Sequence, residues 1–141
     1  MRGAQTALVV LLRVAGLLAL VALVFVFVPF GWMQEIARSL GLTEPVATPL
    51  NHYLTRSLSA MYAFQGALLV YLSLDVVRYA PLARFLAGMG VGFGVLLFGL
   101  DYLVGMPAFW TFGEGPITVI YCIALYAAAD RVCRATRRGQ D

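Results

Sequence analysis

Residues 85–104 read FLAGMGVGFGVLLFGLDYLV, and the meaning of this stretch decides the fold. Glycine occupies positions 88, 90, 92, 94 and 99, and the only charge is Asp101, seven residues after Gly94. A glycine-rich loop for a nucleotide needs a preceding strand and the spacing G-x-G-x-x-G. Counted from Gly88 the third slot falls on Phe93, and counted from Gly90 it falls on Val95. The match fails. Twenty residues at 1.5 Å each cover about 30 Å, the thickness of a bilayer's hydrocarbon core. The stretch therefore reads as a membrane helix.

The rest of the chain agrees. Its 141 residues are 62% hydrophobic and only 12% charged, roughly half the charge fraction of a soluble domain. Mean hydropathy is +0.87, and a chain this short cannot hide so much apolar surface inside itself. Three further uncharged windows follow the same logic: Val14–Met33, Ser57–Leu74 and Gly115–Ala129. Together they predict an all-α protein, a single domain over residues 1–141, with spans at about 8–29, 54–75, 82–104 and 115–133. The four spans are expected to form a bundle. Proline punctuates the borders: Thr48-Pro49, Ala80-Pro81 and Gly115-Pro116 each resemble a cap followed by proline at the first helical position. The first apolar run is longer than a signal-peptide core and is followed by no small-residue cleavage site, so it is expected to remain in place.

All ten basic residues are arginines, and the net charge is +3. With both ends inside, Arg2, Arg13, Arg78, Arg84, Arg131, Arg134, Arg137 and Arg138 lie on the inner side, and only Arg38 and Arg56 lie outside. This split satisfies the positive-inside rule and predicts both termini cytoplasmic; the exclusive use of arginine beside abundant Ala, Leu, Val and Gly suggests a GC-rich bacterial genome, and with it the inner membrane. The outer segments carry Glu35, Glu44, Glu114 and an aromatic set, Phe30, Trp32, Tyr53, Phe109, Trp110 and Phe112, which suits an interfacial belt. Within the first outer segment, residues 32–41 (WMQEIARSLG) place Trp32, Met33, Ile36, Ala37 and Leu40 on one helical face. Gln34, Glu35, Arg38 and Ser39 fall on the other, and Gly41 suits a C-cap, so a short amphipathic helix on the membrane surface is expected.

In membrane helices, small residues four apart let a neighbouring backbone come close. Gly88 with Gly92, and Gly90 with Gly94, form two such pairs, expected to make the third span thin on two sides. Ser59, Ala63 and Gly66 offer a matching stripe on the second span. Asp101 lies within about 20° of Gly90 and Gly94 around the helix axis, so it is expected to point into the bundle. A charge deep in a membrane calls for a partner. Arg56, at matching depth on the second span, is the candidate, with His52 one turn above it. Glu114 opens the fourth span, where a helix N-terminus favours an anion. The expected outer polar cluster is thus His52, Arg56, Asp101 and Glu114, read as a structural clamp, a ligand or ion site, or an acid–base site. Gln65 is expected to make an interhelical hydrogen bond, and Arg13 to snorkel inward or to pair with Asp130.

Several functions fall away on residue types alone. Cys122 and Cys133 lie about 16 Å apart along one helix, too far for a disulfide, and there is no CxxC. One histidine, His52, supports no His-rich metal centre, and no metal or other cofactor is expected. The arginines mark span ends and form no basic stripe, so nucleic acid is not an expected partner. The bilayer is one, together with a second copy or another membrane protein. No acidic residue sits in the first span, as a small multidrug-type exporter would require.

The layout resembles that of the DoxX-like group of small bacterial membrane proteins: four spans with both ends inside, an amphipathic outer segment after the first, an arginine opening the second (LTRSLSAMYAFQGALLVYL, from Leu54) and a glycine-rich third. The resemblance implies a four-helix bundle. Because some members of that group are linked to quinone-dependent sulfur oxidation, it also raises a quinone-linked subunit as an alternative to an accessory or interacting protein. A small transporter is the third reading.

Overall fold

The computed structural model describes residues 2–43 and 45–138; Glu44, counted above among the outer acidic residues, lies outside them. Among the described residues there are five helices and no strand: α1 (Arg2–Phe27), α2 (Phe30–Ser39), α3 (Pro49–Leu72), α4 (Val76–Val104) and α5 (Ala108–Arg138). By length and composition α1 from Gly3, α4 and α5 can each cross a membrane. In their most apolar windows only 11%, 17% and 28% of residues are buried. Their apolar surface faces outward, as lipid requires and water forbids.

The helix expected as a further span, α3, is not among these three. Its 24 residues reach about 36 Å, so length is not the obstacle. Its first half carries Asn51, His52 and Arg56, and Gln65 sits in its second half. Gln65 is exposed.

The helices run past the expected span borders because backbone hydrogen bonding does not stop where the apolar window ends. Pro49 does open α3, and Thr48 caps it, its Oγ1 accepting from Asn51 N at 3.1 Å. Pro81 and Pro116 depart from expectation: both lie inside helices. Each removes one hydrogen bond, to the carbonyls of Val77 and Phe112, and interior proline is tolerated in membrane helices. The true cap of α4 is Asp75, whose carboxylate accepts from Arg78 N at 3.1 Å. At the other end Gly105 adopts φ 75°, which glycine alone takes without strain. Met106 N then reaches back to the Asp101 carbonyl at 2.9 Å, and α5 starts at Ala108.

The chain forms two compact units, Met1–Leu12 with Leu72–Asp141, and Arg13–Tyr71. In the first, α4 and α5 pack as an antiparallel hairpin along their small residues. Ala80, Ala83, Ala87, Leu125, Ala129 and Val132 are buried there, as are Leu8 and Leu12 of α1. The Tyr121 hydroxyl donates to the Leu11 carbonyl, tying α5 to the start of α1.

The glycines of α4 divide into two kinds. A Cβ on Gly94 would lie 2.8 Å from Val119 Cγ2 and 3.0 Å from the Gly115 carbonyl, and one on Gly90 would lie 2.5 Å from Cys122 Sγ. One on Gly88 would only touch Tyr126, at 3.9 Å, and one on Gly92 would meet nothing within 4 Å. The helix is therefore tight on one side, against α5, and not on two. In the second unit the tight crossing joins α3 to α1, where a Cβ on Gly66 would lie 2.6 Å from the Gly16 carbonyl and 2.7 Å from Leu20 N. Ala63, one turn before, is buried, and Ser59 is half-buried. The stripe on α3 thus meets Gly16 of α1, a partner that glycine spacing on α4 did not suggest.

After α1, α2 stands on Phe30, its one buried residue. Leu42 N donates to the Ala37 carbonyl at 2.9 Å and Gly41 N to that of Arg38 at 3.0 Å, so Gly41, at φ 69°, closes a Schellman turn. Trp32, Ile36 and Leu40 are exposed along one face, and Glu35 pairs with Arg38 at 2.8 Å on another. Gln34 turns inward and donates to the Pro45 carbonyl at 3.0 Å.

Candidate functional site

The residues of the expected outer polar cluster fall into two groups. Asp101 and Glu114 belong to the α4–α5 hairpin, and His52 and Arg56 to the unit of α2 and α3. Each group is described within its own unit.

Asp101 sits one turn before the end of α4. Its carbonyl is used by the Gly105 turn, its side chain is buried, and its Oδ2 has no hydrogen-bond partner among the described residues. Thr111, the buried hydroxyl at this end of α5, directs its one proton at the carbonyls of Met106 and Pro107, each at 3.4 Å. Native interiors leave few buried polar atoms unpaired, and an unpaired one costs free energy that a packed apolar residue would not. Asp101 is the chemical anomaly of the hairpin.

Glu114 is differently placed. It lies in the second turn of α5, half-buried, and its Oε2 accepts from the Trp110 indole N–H at 2.6 Å, one helical turn away. Trp110 itself meets Phe109 edge-on at 6.4 Å, and Phe112 lies against Phe98 of α4 at 5.8 Å. Glu114 thus orders an aromatic group at the head of α5.

On α3, the half-buried His52 lies 4.1 Å, ring to ring, from the buried Phe30 of α2. Four residues on, Arg56 is exposed and makes no ion pair among the described residues. The i,i+4 spacing that placed the two on one face holds, and the histidine's close neighbour is an aromatic ring.

The opposite end of the hairpin holds a polar cluster that residue spacing reveals only in part. Asp130 Oδ1 accepts from Arg84 Nη1 at 3.1 Å, joining α5 to α4, and its Oδ2 accepts from Arg134 Nε at 2.7 Å. The Asp130–Arg134 link was readable from i,i+4 spacing. The Arg84 link was not, because it depends on how α4 and α5 are registered. Cys122 and Cys133 are both free. Among the described residues no group of three His, Cys, Asp or Glu side chains comes together as a metal-ligand set.

Compared with protein families, curated proteins and solved structures, the chain matches none.

Proposed function

We propose that this chain is a four-span protein of the bacterial inner membrane, with both termini cytoplasmic, that serves as an accessory or interacting component within the bilayer. The observation that carries this reading is the outward-facing apolar surface of α1, α4 and α5, on which Leu18, Phe85, Leu103, Val104 and Ile120 are among the exposed residues. Such a surface is satisfied by acyl chains or by the helices of a partner. The fourth span is α3. Its length and its glycine-to-glycine approach to α1 suit a crossing helix, and the arginine distribution favours an even number of spans. The four spans form a bundle, α2 lies on the outer surface, and the layout is that of the DoxX-like group.

The test is the assembly state of the protein extracted from its own membrane in a mild detergent, measured by light scattering behind size-exclusion chromatography. A complex of defined stoichiometry, with a second copy or another membrane protein, supports the proposal. A lone monomer overturns it.

Asp101 favours a second reading. A buried carboxylate oxygen without a donor inside a membrane helix is a functional-site candidate by default, for a small-molecule ligand, a quinone or a transported ion. A bound quinone in the purified monomer would assign the redox form. Uptake or efflux in proteoliposomes, abolished by Asp101→Asn, would assign the transport form.

A further inference from the structure

The α4–α5 hairpin has a pocket at the end opposite Asp101. Its volume is about 130 Å³, and it is lined by Val77, Pro81 and Arg84 from α4 and by Cys133, Thr136 and Arg137 from α5. We infer that this pocket binds the phosphate of an anionic phospholipid headgroup.

Charge is the first argument. Arg84 commits only Nη1 to Asp130, and a guanidinium carries five N–H donors in a fixed fork. Arg137 makes no ion pair among the described residues. Asp130, the carboxylate beside the pocket, is shared between Arg84 and Arg134, so three guanidinium groups accompany one carboxylate and the excess is positive. Two arginines flanking one cavity suit a phosphate, whose oxygens accept paired N–H bonds. Thr136 adds no donor, because its hydroxyl already donates to the Val132 carbonyl at 3.0 Å.

Position is the second argument. The pocket lies at one end of two helices long and apolar enough to span a membrane, and the ends of a span face the headgroup layer. Basic pockets between helices at this level recognise anionic lipids. Shape is the third. Val77 and Pro81 make one wall apolar, and Phe85, one turn further along the same face of α4, is exposed. An acyl chain leaving the pocket has an apolar track to follow, which free phosphate would not use.

The experiment is native mass spectrometry of the full chain in mild detergent, offered equimolar phosphatidylglycerol and phosphatidylcholine, and separately inorganic phosphate. Phosphatidylglycerol should be retained preferentially. Arg137→Gln, which breaks no ion pair among the described residues, should lower that retention roughly tenfold, the worth of one charge-assisted contact. Arg131→Gln is exposed at the same end but does not line the pocket, and it should leave retention unchanged. Equal retention of the two lipids, or an equal loss in both variants, would overturn the inference by reducing it to surface charge. Inorganic phosphate displacing the lipid completely would overturn the lipid assignment and make the site one for free phosphate. In the Cys122→Ala background, phosphatidylglycerol should also slow maleimide labelling of Cys133, and phosphatidylcholine should not.

Discussion

Gly94→Ala should loosen the α4–α5 hairpin, whereas Gly92→Ala, two residues away on the same helix, should not. The added Cβ at 94 would stand 2.8 Å from Val119 Cγ2, 3.0 Å from the Gly115 carbonyl and 3.1 Å from Val119 N. Two of those three atoms are backbone and cannot rotate aside. Reaching the 3.4 Å of ordinary contact from the Gly115 carbonyl, at 3.0 Å, requires the helices to part by about 0.4 Å. A gap approaching half an ångström forfeits up to roughly a quarter of the dispersion energy of each atom pair across the crossing. Overpacking of this kind typically costs about 1–3 kcal/mol. Against it stands the gain from replacing a helical glycine by alanine, about 0.5–1 kcal/mol. The net expectation for Gly94→Ala is a loss of about 0–2.5 kcal/mol. Gly92→Ala has nothing within 4 Å to disturb and keeps the gain alone. Gly94→Leu should be far worse than Gly92→Leu. Reversible unfolding in mixed detergent micelles, followed by helical circular dichroism, measures both. Equal stabilisation by the two alanines would refute the close approach of α4 to α5.

Three further outcomes follow from other contacts. Gly66→Ala should destabilise at least as much as Gly94→Ala in the same assay, because its Cβ would meet the Gly16 carbonyl at 2.6 Å and Leu20 N at 2.7 Å; tolerance there would mean that α3 does not pack on α1. Asp101→Leu should raise stability by roughly 1–3 kcal/mol, the usual penalty of an unsatisfied buried polar group, and a fall instead would reveal a donor that holds the carboxylate. Asp130→Asn should weaken the hairpin by no more than about 1 kcal/mol, as expected for partly exposed pairs. Asp130→Arg should cost more, because it sets a third guanidinium against Arg84 and Arg134; adding Arg84→Asp should recover part of that loss, and strict additivity of the two changes would show that they do not interact.

Much of the architecture is legible in the sequence because it rests on local rules. The apolar windows locate α1, α4 and α5, and Thr48-Pro49 and Gly41 mark a helix start and a helix stop that hydrogen bonds then realise. Where two local signals compete, the reading fails. Pro81 and Pro116 look like helix starts, but the continuous apolar face around them and the Asp75 cap carry α4 and α5 through. Glycine spacing shows that a face is thin without saying what lies against it. Gly94 meets Gly115, and Gly66 meets Gly16, both pairings set by tertiary register. The same limit governs the polar residues. The Trp110–Glu114 bond joins residues four apart and could have been anticipated, whereas Arg84 and Asp130 are 46 apart.

Whether the chain crosses the membrane four times with both ends inside is decided by thiol accessibility in intact cells. Cys122 and Cys133 are replaced, and single cysteines are placed at Thr43 after α2, Leu74 between α3 and α4, and Phe109 at the head of α5. Thr43, Leu74 and Phe109 are exposed, so protein burial does not mask them. Four spans require an impermeant maleimide to label Thr43→Cys and Phe109→Cys, and to label Leu74→Cys only after the membrane is permeabilised. If Thr43→Cys and Leu74→Cys instead behave alike, opposite to Phe109→Cys, then α3 does not cross and the four-span topology is wrong.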